Sequence, residues 1–507
     1  MPDAPAAPSA TRNLVKGLGV PLLAGALTVL GFAPFQAWLV PFATVAALFA
    51  VWRSSGSPLQ AALSGYAFGL GLMLAGVSWV YVSLHYYGHM PAALAAFATF
   101  LFCAFLALFY ALIGWAFARL RRGAMPDLIL LAPALLMLGE WLRGWVFTGF
   151  PWLTIGYTQV PAGPLAGFAP VVGAYGVSLL VFISAGFFAS AAAATARAKA
   201  TAFVAVLSLW AAGLALGLVE WSEPSAPPIR VALLQGNISQ DLKWRDDVRA
   251  KTLADYRRLG LDADARLVVF PETALPMFFD QVPRDYLAEQ AMAARGRGAD
   301  VLLGAVERDF KGDTFRYFNS VVAFGAAPFQ SYRKVHLVPF GEFIPWGFRW
   351  ITNILQIPLA DMARGDAAQA PLEVAGTRVA VALCYEDIFG EELIGQLPAA
   401  GLLVNVSNDA WFGNSFAPEQ HAQFSQMRAL ETARPMLRAT NTGVTSAIDH
   451  RGREIARLPA FTQGTLRVEI APRSGTTPYV RWGNLVALAL AAGALAWALA
   501  MRRRTVA

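Results

Sequence analysis

Charged residues and cysteines are both scarce in this chain. Only 14% of its 507 residues are Asp, Glu, Lys or Arg, whereas 56% are hydrophobic. Soluble domains carry about 25% charged residues, so the composition excludes a purely soluble protein. It indicates a chain that is partly embedded in a membrane and partly globular.

Several kinds of site are missing from the sequence. No His and Cys residues occur at the spacing of zinc ligands, and no glycine-rich phosphate-binding motif is present, so we predict no metal and no cofactor. The two cysteines are Cys103, inside an apolar run, and Cys384, in a polar part of the chain. A disulfide between them is implausible. Cys384 is then a free thiol that needs an explanation.

Long apolar runs are abundant, and a membrane-spanning helix needs about 20 such residues. The sequence predicts about eight spans, near residues 20–35, 38–52, 61–84, 92–117, 128–145, 165–191, 202–219 and 484–501. The fifth span contains Glu140 and Arg143. Charges are costly in lipid, so we expect this pair to face other helices, to pair with each other or to lie at the surface. A structural ion pair is as plausible here as a functional one.

The short loops predict the orientation of the spans. Basic residues precede the first predicted span and follow every second span after it: Arg12, Lys16, Arg53, Arg119, Arg121, Arg122, Arg197, Lys199, Arg502, Arg503 and Arg504. Because positively charged loops stay in the cytoplasm, both termini are predicted to be cytoplasmic and the long polar stretch extracytoplasmic. The net charge of +7 therefore reflects membrane orientation, and no nucleic-acid partner is indicated.

The periodicity changes at Ile229, where short β-rich runs begin to alternate with amphipathic helical ones. This pattern is typical of an α/β domain, in which helices cover a sheet. Strands are predicted at 229–234, 265–270, 300–305, 319–324, 329–333, 378–383 and 402–406, and helices at 246–259, 284–294, 391–397 and 422–433. The domain boundaries that follow are 1–13 for a disordered cytoplasmic N-terminus, 14–221 for a membrane domain with seven spans, 222–475 for the extracytoplasmic domain, and 476–507 for the eighth span and a cytoplasmic tail.

Three predicted strands end on reactive side chains, Glu272, Lys334 and Cys384. Strand ends in α/β domains can converge on one site, although each residue alone also has an ordinary structural explanation. Together they suit acyl transfer. Cys384 is a nucleophile that needs a base, since a free thiol has a pKa of about 8.5. Glu272 would take the thiol proton, and Lys334 would stabilise the oxyanion.

The sequence around these residues resembles the Glu-Lys-Cys signature of the nitrilase superfamily. Glu272 follows Pro271, Lys334 lies in the segment YRKVHLVPFGEF, and Cys384 begins CYED. With the apolar runs included, nearly the whole chain resembles the apolipoprotein N-acyltransferase family. The likeness extends to Gln235–Asn237 with Lys243 and Trp244, Gly149–Trp152, Arg316–Asn319, Gly341–Pro345 and Asn405–Gly413.

The resemblance implies a fold, an activity and further site residues. The expected fold is an αββα sandwich joined to a membrane helical bundle, so that 222–475 becomes a nitrilase-like catalytic domain. The implied reaction moves an acyl chain from a phospholipid, phosphatidylethanolamine, through a thioester on Cys384 to the α-amine of the diacylglyceryl-cysteine of apolipoproteins, at the bacterial inner membrane. The resemblance also implies substrate contact for Trp244 and supporting roles for Glu342, Tyr385 and Glu386. Without it, the simpler expectations are packing for Trp244 and Tyr385 and surface charges for Glu342 and Glu386.

Other functions stay open at this point. A membrane-bound nitrilase-like amidase would pass the acyl group to water with the same three residues. A Cys-His enzyme would use His336, His421 or His450 as its base, and a transporter or scaffold would need no chemistry at all. The aromatic-rich segment 343–358, and a second one at 411–416, are either core or lids that cover an acyl chain or enter the lipid interface.

Overall fold

The computed structural model describes residues 15–122, 125–191, 195–311, 314–345, 347 and 361–504. These residues form two compact units. The first contains the described residues of Met1–Tyr81, Met90–Val219 and Asn484–Ala507, and the second contains Val82–His89 and Glu220–Gly483. The predicted disordered segment 1–13 and most of the predicted lid 343–358 lie outside the described residues.

The first unit is helical. Its α-helices are α1 (Val20–Thr28), α2 (Val40–Ser54), α3 (Pro58–Gly76), α4 (Ala92–Leu120), α5 (Ala132–Arg143), α6 (Ala169–Ala191), α7 (Ala196–Leu216) and, at its C-terminal end, Leu485–Arg504. Single turns of other helix types extend α1, α5 and α6. Proline stands in the first turn of α1, α2, α3 and α5, where its missing N–H has no helical partner to lose.

Small residues let these helices pack closely. A Cβ added at Gly71 of α3 would lie 2.0 Å from the carbonyl oxygen of Leu22 in α1, and one added at Gly114 of α4 would lie 2.2 Å from that of Ala61 in α3. Neither position tolerates a side chain. Close backbone approach at small residues is typical of membrane helix pairs.

A helix occupies each position where the sequence predicts a span. Among the described residues, four helical segments are long and apolar enough to cross a membrane, Pro58–Gly76, Ala92–Leu120, Ala166–Ala191 and Ala196–Leu216, and three apolar ones are shorter. The third prediction was too long at its end, since α3 stops at Gly76 and Val82–His89 belongs to the second unit.

The two charged residues of the fifth predicted span are buried inside the helical unit. Glu140 accepts a hydrogen bond from the N–H of Ile155 at 2.9 Å. Arg143 donates to the carbonyl oxygens of Phe150 and, at 2.6 Å, Trp152. The two side chains therefore face the interior of the helical unit, which was one of the expectations, and they also fasten the segment that follows α5.

The second unit contains two six-stranded sheets and a short two-stranded one. In chain order, the strands are β1 (Ser222–Pro224), β2 (Ile229–Gln235), β3 (Leu267–Val269), β4 (Asp300–Lys311), β5 (Thr314–Gly325), β6 (Gln330–Arg333), β7 (Leu372–Val374), β8 (Thr377–Leu383), β9 (Leu402–Ser407), β10 (Met436–Thr440), β11 (Ser446–Ile448), β12 (Glu454–Arg457), β13 (Gly464–Ile470) and β14 (Arg473–Gly475). The orders are β13-β2-β3-β4-β5-β6, β12-β11-β10-β9-β8-β7 and β1-β14. The strands β10 to β14 were not predicted, and neither were β1 and β7. Of these, β1, β7, β11 and β14 have only three residues each, and β10 is buried along its whole length.

The two large sheets pack face to face. Val231, Val269 and Val321 of one sheet share a core with Val381 and Val404 of the other. The outer face of the first sheet is covered by Asp246–Leu261 and Arg284–Gly296, and that of the second by Gly390–Leu393 and Ala417–Thr432. The layers are thus helix, sheet, sheet, helix, as the family resemblance implied, whereas periodicity alone indicated only α/β. The chain also has a short helix, Pro478–Trp482, at the end of this unit.

Candidate active site

Glu272 lies three residues after β3 and is buried, with 7% of its surface exposed. Its Oε1 accepts a hydrogen bond from Nδ2 of Asn319 at 2.7 Å, and its Oε2 accepts one from the backbone N–H of Asn408 at 2.8 Å. Asn319 is on β5 of the same sheet, and Asn408 follows β9 of the facing sheet. The carboxylate is therefore held between the ends of the two sheets.

Lys334 directly follows β6 and is almost fully buried. Its ammonium lies 2.8 Å from Oε2 and 2.9 Å from Oε1 of Glu342, and 3.8 Å from Oε1 of Glu272. Burial disfavours the charge, but Glu342 and Glu272 outweigh it and raise the pKa of Lys334 above its usual value. Lys334 is consequently a permanent positive charge.

Glu342 is part of the site and not a surface charge. Besides binding Lys334, it accepts a hydrogen bond from Nδ2 of Asn319 at 2.7 Å and one from the N–H of Val338 at 2.8 Å. The amide of Asn319 thus links the two carboxylates that flank Lys334. The sequence contains Asn319 within one of the family-like motifs, but nothing in its pattern pointed to this bridge.

Cys384 directly follows β8 and has a positive φ of 51°. Burial raises the pKa of its thiol well above the usual value and Glu272 adds to the rise, whereas Lys334 and a hydrogen bond with Ser407 act against it. Glu272, Lys334 and Cys384 are therefore close enough to influence one another, as the sequence predicted. The resting thiol is protonated, so a base is required before it can attack.

Glu386 joins the segment after Cys384 to the segment after Lys334. Its Oε1 accepts hydrogen bonds from the N–H groups of Val335 and His336, at 2.6 and 3.0 Å, and its Oε2 from the N–H of Leu383 and the hydroxyl of Tyr332, at 2.8 and 3.1 Å. Burial raises its pKa to about 7. Glu386 thus connects the chain segments that carry Lys334 and Cys384.

Tyr385 and Trp244 differ in exposure. Tyr385 is buried, and its ring contacts those of His336 and Phe389. Trp244 is 52% exposed, which is compatible with substrate contact and contradicts simple packing.

Lys243, the neighbour of Trp244, is buried and donates a hydrogen bond to the backbone oxygen of Glu272 at 3.4 Å. Burial lowers the pKa of Lys243 to about 8, although Glu272 opposes the shift.

The three candidate histidines have other partners. Nδ1 of His336 binds Glu392 at 2.8 Å, and His450 binds Glu220 at 3.1 Å. Nδ1 of His421 binds Asp409, and its Nε2 binds both Asp387 and the backbone oxygen of Cys384. Each of these histidines is thus paired with a carboxylate, whereas Glu272 is the carboxylate that acts electrostatically on the Cys384 thiol.

Several residues of the site carried no individual prediction. Asn319, Asn405, Asn408, Asp387, Asp409 and Arg438 are all buried around the ends of the strands, together with His421, which the sequence suggested only as an alternative base. Asn405, Asn408 and Asp409 lie within the family-like segment Asn405–Gly413, and this motif was the only sign in the sequence that they belong to the site.

Within the described ranges, no cluster of three or more His, Cys, Asp or Glu side chains could hold a metal ion.

The second aromatic segment, 411–416, carries exposed side chains. Trp411 is 43% and Phe416 42% exposed. The backbone oxygen of Trp411 accepts a hydrogen bond from Ser83 at 2.8 Å, and its ring contacts Tyr87. Ser83 and Tyr87 come from Val82–His89, which belongs to the same unit. A role as a lid remains a prediction.

The arrangement has the parts needed for acyl transfer. It offers a thiol nucleophile, a carboxylate that can take the thiol proton and a fixed ammonium near both. Glu272 and Lys334 are buried, where electrostatic interactions are stronger than in water, and Cys384 is partly exposed.

Comparisons with known proteins agree with this chemistry. Residues 24–187 match the family described as the apolipoprotein N-acyltransferase N-terminal domain, and residues 230–479 match the carbon-nitrogen hydrolase family. An apolipoprotein N-acyltransferase of Nitrosomonas europaea is 51% identical over 492 residues, covering 95% of this chain and 97% of the relative. Another, of Methylococcus capsulatus, is 45% identical over 494 residues, covering 97% of each.

Proposed function

The chain belongs to the apolipoprotein N-acyltransferase family and is an acyltransferase of lipoproteins, and we propose that it works through a thioester on Cys384. In this proposal the acyl donor is a membrane phospholipid, phosphatidylethanolamine, and the acceptor is the α-amine of a diacylglyceryl-cysteine at a lipoprotein's N-terminus. The observation that carries the mechanism is the placement of buried Glu272 and Lys334 and partly exposed Cys384 after strands of the two facing sheets, close enough for their charges to interact.

In the first half-reaction, Glu272 takes the proton of the Cys384 thiol as the sulfur attacks the ester carbonyl of the donor. The negative charge that develops on the carbonyl oxygen is stabilised by Lys334, whose own charge is maintained by Glu342. The tetrahedral intermediate then expels the lysophospholipid oxygen, which takes the proton from Glu272. The products are a thioester and a lysophospholipid.

In the second half-reaction, the neutral α-amine of the acceptor attacks the thioester. Glu272 takes the proton that the amine loses as the new C–N bond forms, and the Cys384 sulfur leaves and takes that proton back. The amide product and the free thiol result. Lys334 stabilises the second oxyanion in the same way, so one set of residues serves both steps.

A membrane location suits the proposed reaction, because both of its substrates carry lipid chains. The helical unit and the family indicate a membrane protein. We further propose that the chain crosses the bacterial inner membrane several times with cytoplasmic termini, and that the catalytic unit is periplasmic. The distribution of basic residues among the short loops supports this orientation. Trp244, which is half-exposed near the site, is proposed to contact substrate.

The thioester is the direct test of the mechanism. The full-length protein is incubated with vesicles of phosphatidylethanolamine that carries an isotopically labelled acyl chain, quenched in acid and analysed by mass spectrometry. We expect one labelled acyl group on the peptide containing Cys384, and none in Cys384→Ala or Glu272→Gln. Transfer to acceptor without any acylated Cys384 would contradict the covalent mechanism.

Adding a synthetic diacylated lipopeptide to the acylated enzyme separates the transferase from an amidase. A transferase converts the label into N-acylated lipopeptide and frees the thiol. Release of the label as fatty acid, with the lipopeptide unchanged, would instead support a hydrolase that passes the acyl group to water.

A further inference from the structure

The nucleophile has an unfavourable backbone conformation. Cys384 has a φ of 51°, in the left-handed region, although it is not glycine. That region is disfavoured for a residue with a side chain, because its Cβ comes too close to the following carbonyl oxygen. Such conformations persist at functional sites only where neighbouring groups hold them, so the structure must contain the groups that hold Cys384.

The backbone oxygen of Cys384 is held by two donors. Nδ2 of Asn405, on β9, lies 3.0 Å from it, and Nε2 of His421 also lies 3.0 Å from it. His421 is on the buried helix Ala417–Thr432, which covers the second sheet. A side chain from a covering helix therefore reaches the peptide group of the nucleophile.

The ring of His421 is itself fixed by two carboxylates. Nδ1 lies 2.9 Å from Oδ1 of Asp409, and Nε2 lies 3.0 Å from Oδ1 of Asp387. Arg438 binds the other oxygens of the same carboxylates, at 2.9 Å and 3.2 Å. The side chains of all four residues are no more than 1% exposed.

The charge of this cluster determines what His421 can do. Asp387 and Asp409 supply two negative charges and Arg438 one positive charge, so the buried cluster is neutral only when His421 is protonated. Burial and Arg438 disfavour the protonated ring, but the two carboxylates outweigh them and raise the pKa of His421 to about 9. A protonated imidazole donates from both nitrogens and has no lone pair with which to take the thiol proton.

We propose that His421 is a positioning residue of the acyl-transfer reaction: its Nε2–H holds the backbone oxygen of Cys384 and so keeps the thiol aimed between Glu272 and Lys334. This inference rests on the proposed function only for the identity of the group that the thiol attacks. The placement of the thiol itself does not depend on the donor or the acceptor, and it can be measured separately.

The test uses two full-length variants with equal charge. In His421→Gln/Asp409→Asn the glutamine amide occupies the place of Nε2 and can still reach the Cys384 oxygen. In His421→Asn/Asp409→Asn the shorter amide occupies the place of Nδ1 and cannot. Both clusters are neutral, because Arg438 then balances Asp387, and both replacements are polar amides. The single variant His421→Gln keeps the donor but leaves an uncompensated negative charge.

Two rates are measured for each variant: alkylation of Cys384 by iodoacetamide, and formation of the acyl thioester from labelled phosphatidylethanolamine vesicles. Small misplacements of reacting groups can cost roughly a hundredfold in rate. We expect both rates to fall about tenfold to a hundredfold in the asparagine double variant, with KM for the donor unchanged. The glutamine double variant should stay within a few-fold of wild type. The single His421→Gln variant should melt at a lower temperature yet alkylate almost normally.

Equal rates in the two double variants would overturn the proposal, because His421 would then serve only the charge balance. Loss of Cys384 alkylation in the single His421→Gln variant, while the variant protein is still folded, would also overturn the proposal. His450→Gln, at a partly buried histidine paired with Glu220, is the control. Failure of the wild type to form a thioester, with the alkylation difference intact, would instead contradict the proposed function and leave the role of His421 standing.

Discussion

The ammonium of Lys334 and the carboxylate of Glu272 lie 3.8 Å apart, beyond hydrogen-bond distance. They attract each other without sharing a proton directly, and both Glu272 oxygens accept their hydrogen bonds from neutral amide groups instead. In the proposed mechanism Glu272 is the base, while a second carboxylate, that of Glu342, holds Lys334 for another task. This separation of roles leads to the following expectations.

Replacing Lys334 by Met should nearly abolish thioester formation. The variant loses the charge that stabilises the oxyanion, a change that typically lowers kcat by about 10² to 10³. It also leaves the carboxylates of Glu272 and Glu342 repelling each other across Asn319. The measurement is the rate of acylation of Cys384 by labelled phospholipid. Lys251→Met, at an exposed lysine paired with Asp255, should be indistinguishable from wild type; a similar loss in both variants would point to unfolding.

Replacing Glu342 by Gln should slow acylation less than the change at Lys334. The ammonium remains, but its nearest partner is gone, so it is expected to move toward Glu272 and pair with the base. We expect a decrease of about tenfold to a hundredfold in kcat, with KM for the donor almost unchanged. Glu373→Gln, at an exposed glutamate paired with Arg378, is the control. An unchanged kcat in Glu342→Gln would show that Glu272 alone is enough to keep the ammonium of Lys334 charged and in place.

The buried cluster around His421 should make stability depend on pH. The pKa of His421 is about 9 in the folded protein and about 6.5 in the unfolded chain. The folded state therefore binds more protons between these values, so this contribution is complete below about pH 6.5 and is lost as the pH rises through about 9. Thermal unfolding midpoints of the wild type should fall across this window.

The variant His421→Gln/Asp409→Asn isolates that contribution. It removes the titrating ring and keeps the cluster neutral, so its unfolding midpoint should change less between pH 6.5 and 9. Parallel curves for the variant and the wild type would show that His421 does not titrate with unfolding in this range.

Lys243 should destabilise the protein at neutral pH. Burial lowers its pKa to about 8, below the value of about 10.4 for an unfolded chain. The folded state then binds fewer protons, so stability from this group is complete above about pH 10.4 and is lost as the pH falls through about 8. Lys243→Met should be more stable than wild type at pH 7, by up to about 3 kcal/mol.

The same comparison at pH 10.5 is the internal control for Lys243. Both side chains are then neutral, so the difference in unfolding midpoint between Lys243→Met and wild type should nearly vanish. An equal gain at both pH values would mean that packing of the methionine, and not removal of a buried charge, stabilises the variant.

Much of the architecture could be predicted from local pattern. Apolar run length located the helices of the membrane unit, and the change of periodicity at Ile229 located the start of the α/β unit. Most of the described strands up to Ser407 were predicted from their apolar runs, but β1 and β7 were missed. All strands after Ser407 were missed as well; strands as short as Ser446–Ile448 leave no periodic signal. The end of the third span was wrong because composition does not show that Val82–His89 belongs to the other unit.

The sequence by itself determined that the chain is partly membrane-embedded, which family it resembles, and which three side chains are candidates for the chemistry. These are properties of composition, run length and short motifs, all of which are local along the chain. Only the tertiary structure decided how those side chains are held: Asn319 links two carboxylates across 23 and 47 residues, and His421 reaches the backbone of Cys384 across 37. Hydrogen bonds of this kind depend on distances of about 3 Å between atoms far apart in sequence, and no local pattern encodes them.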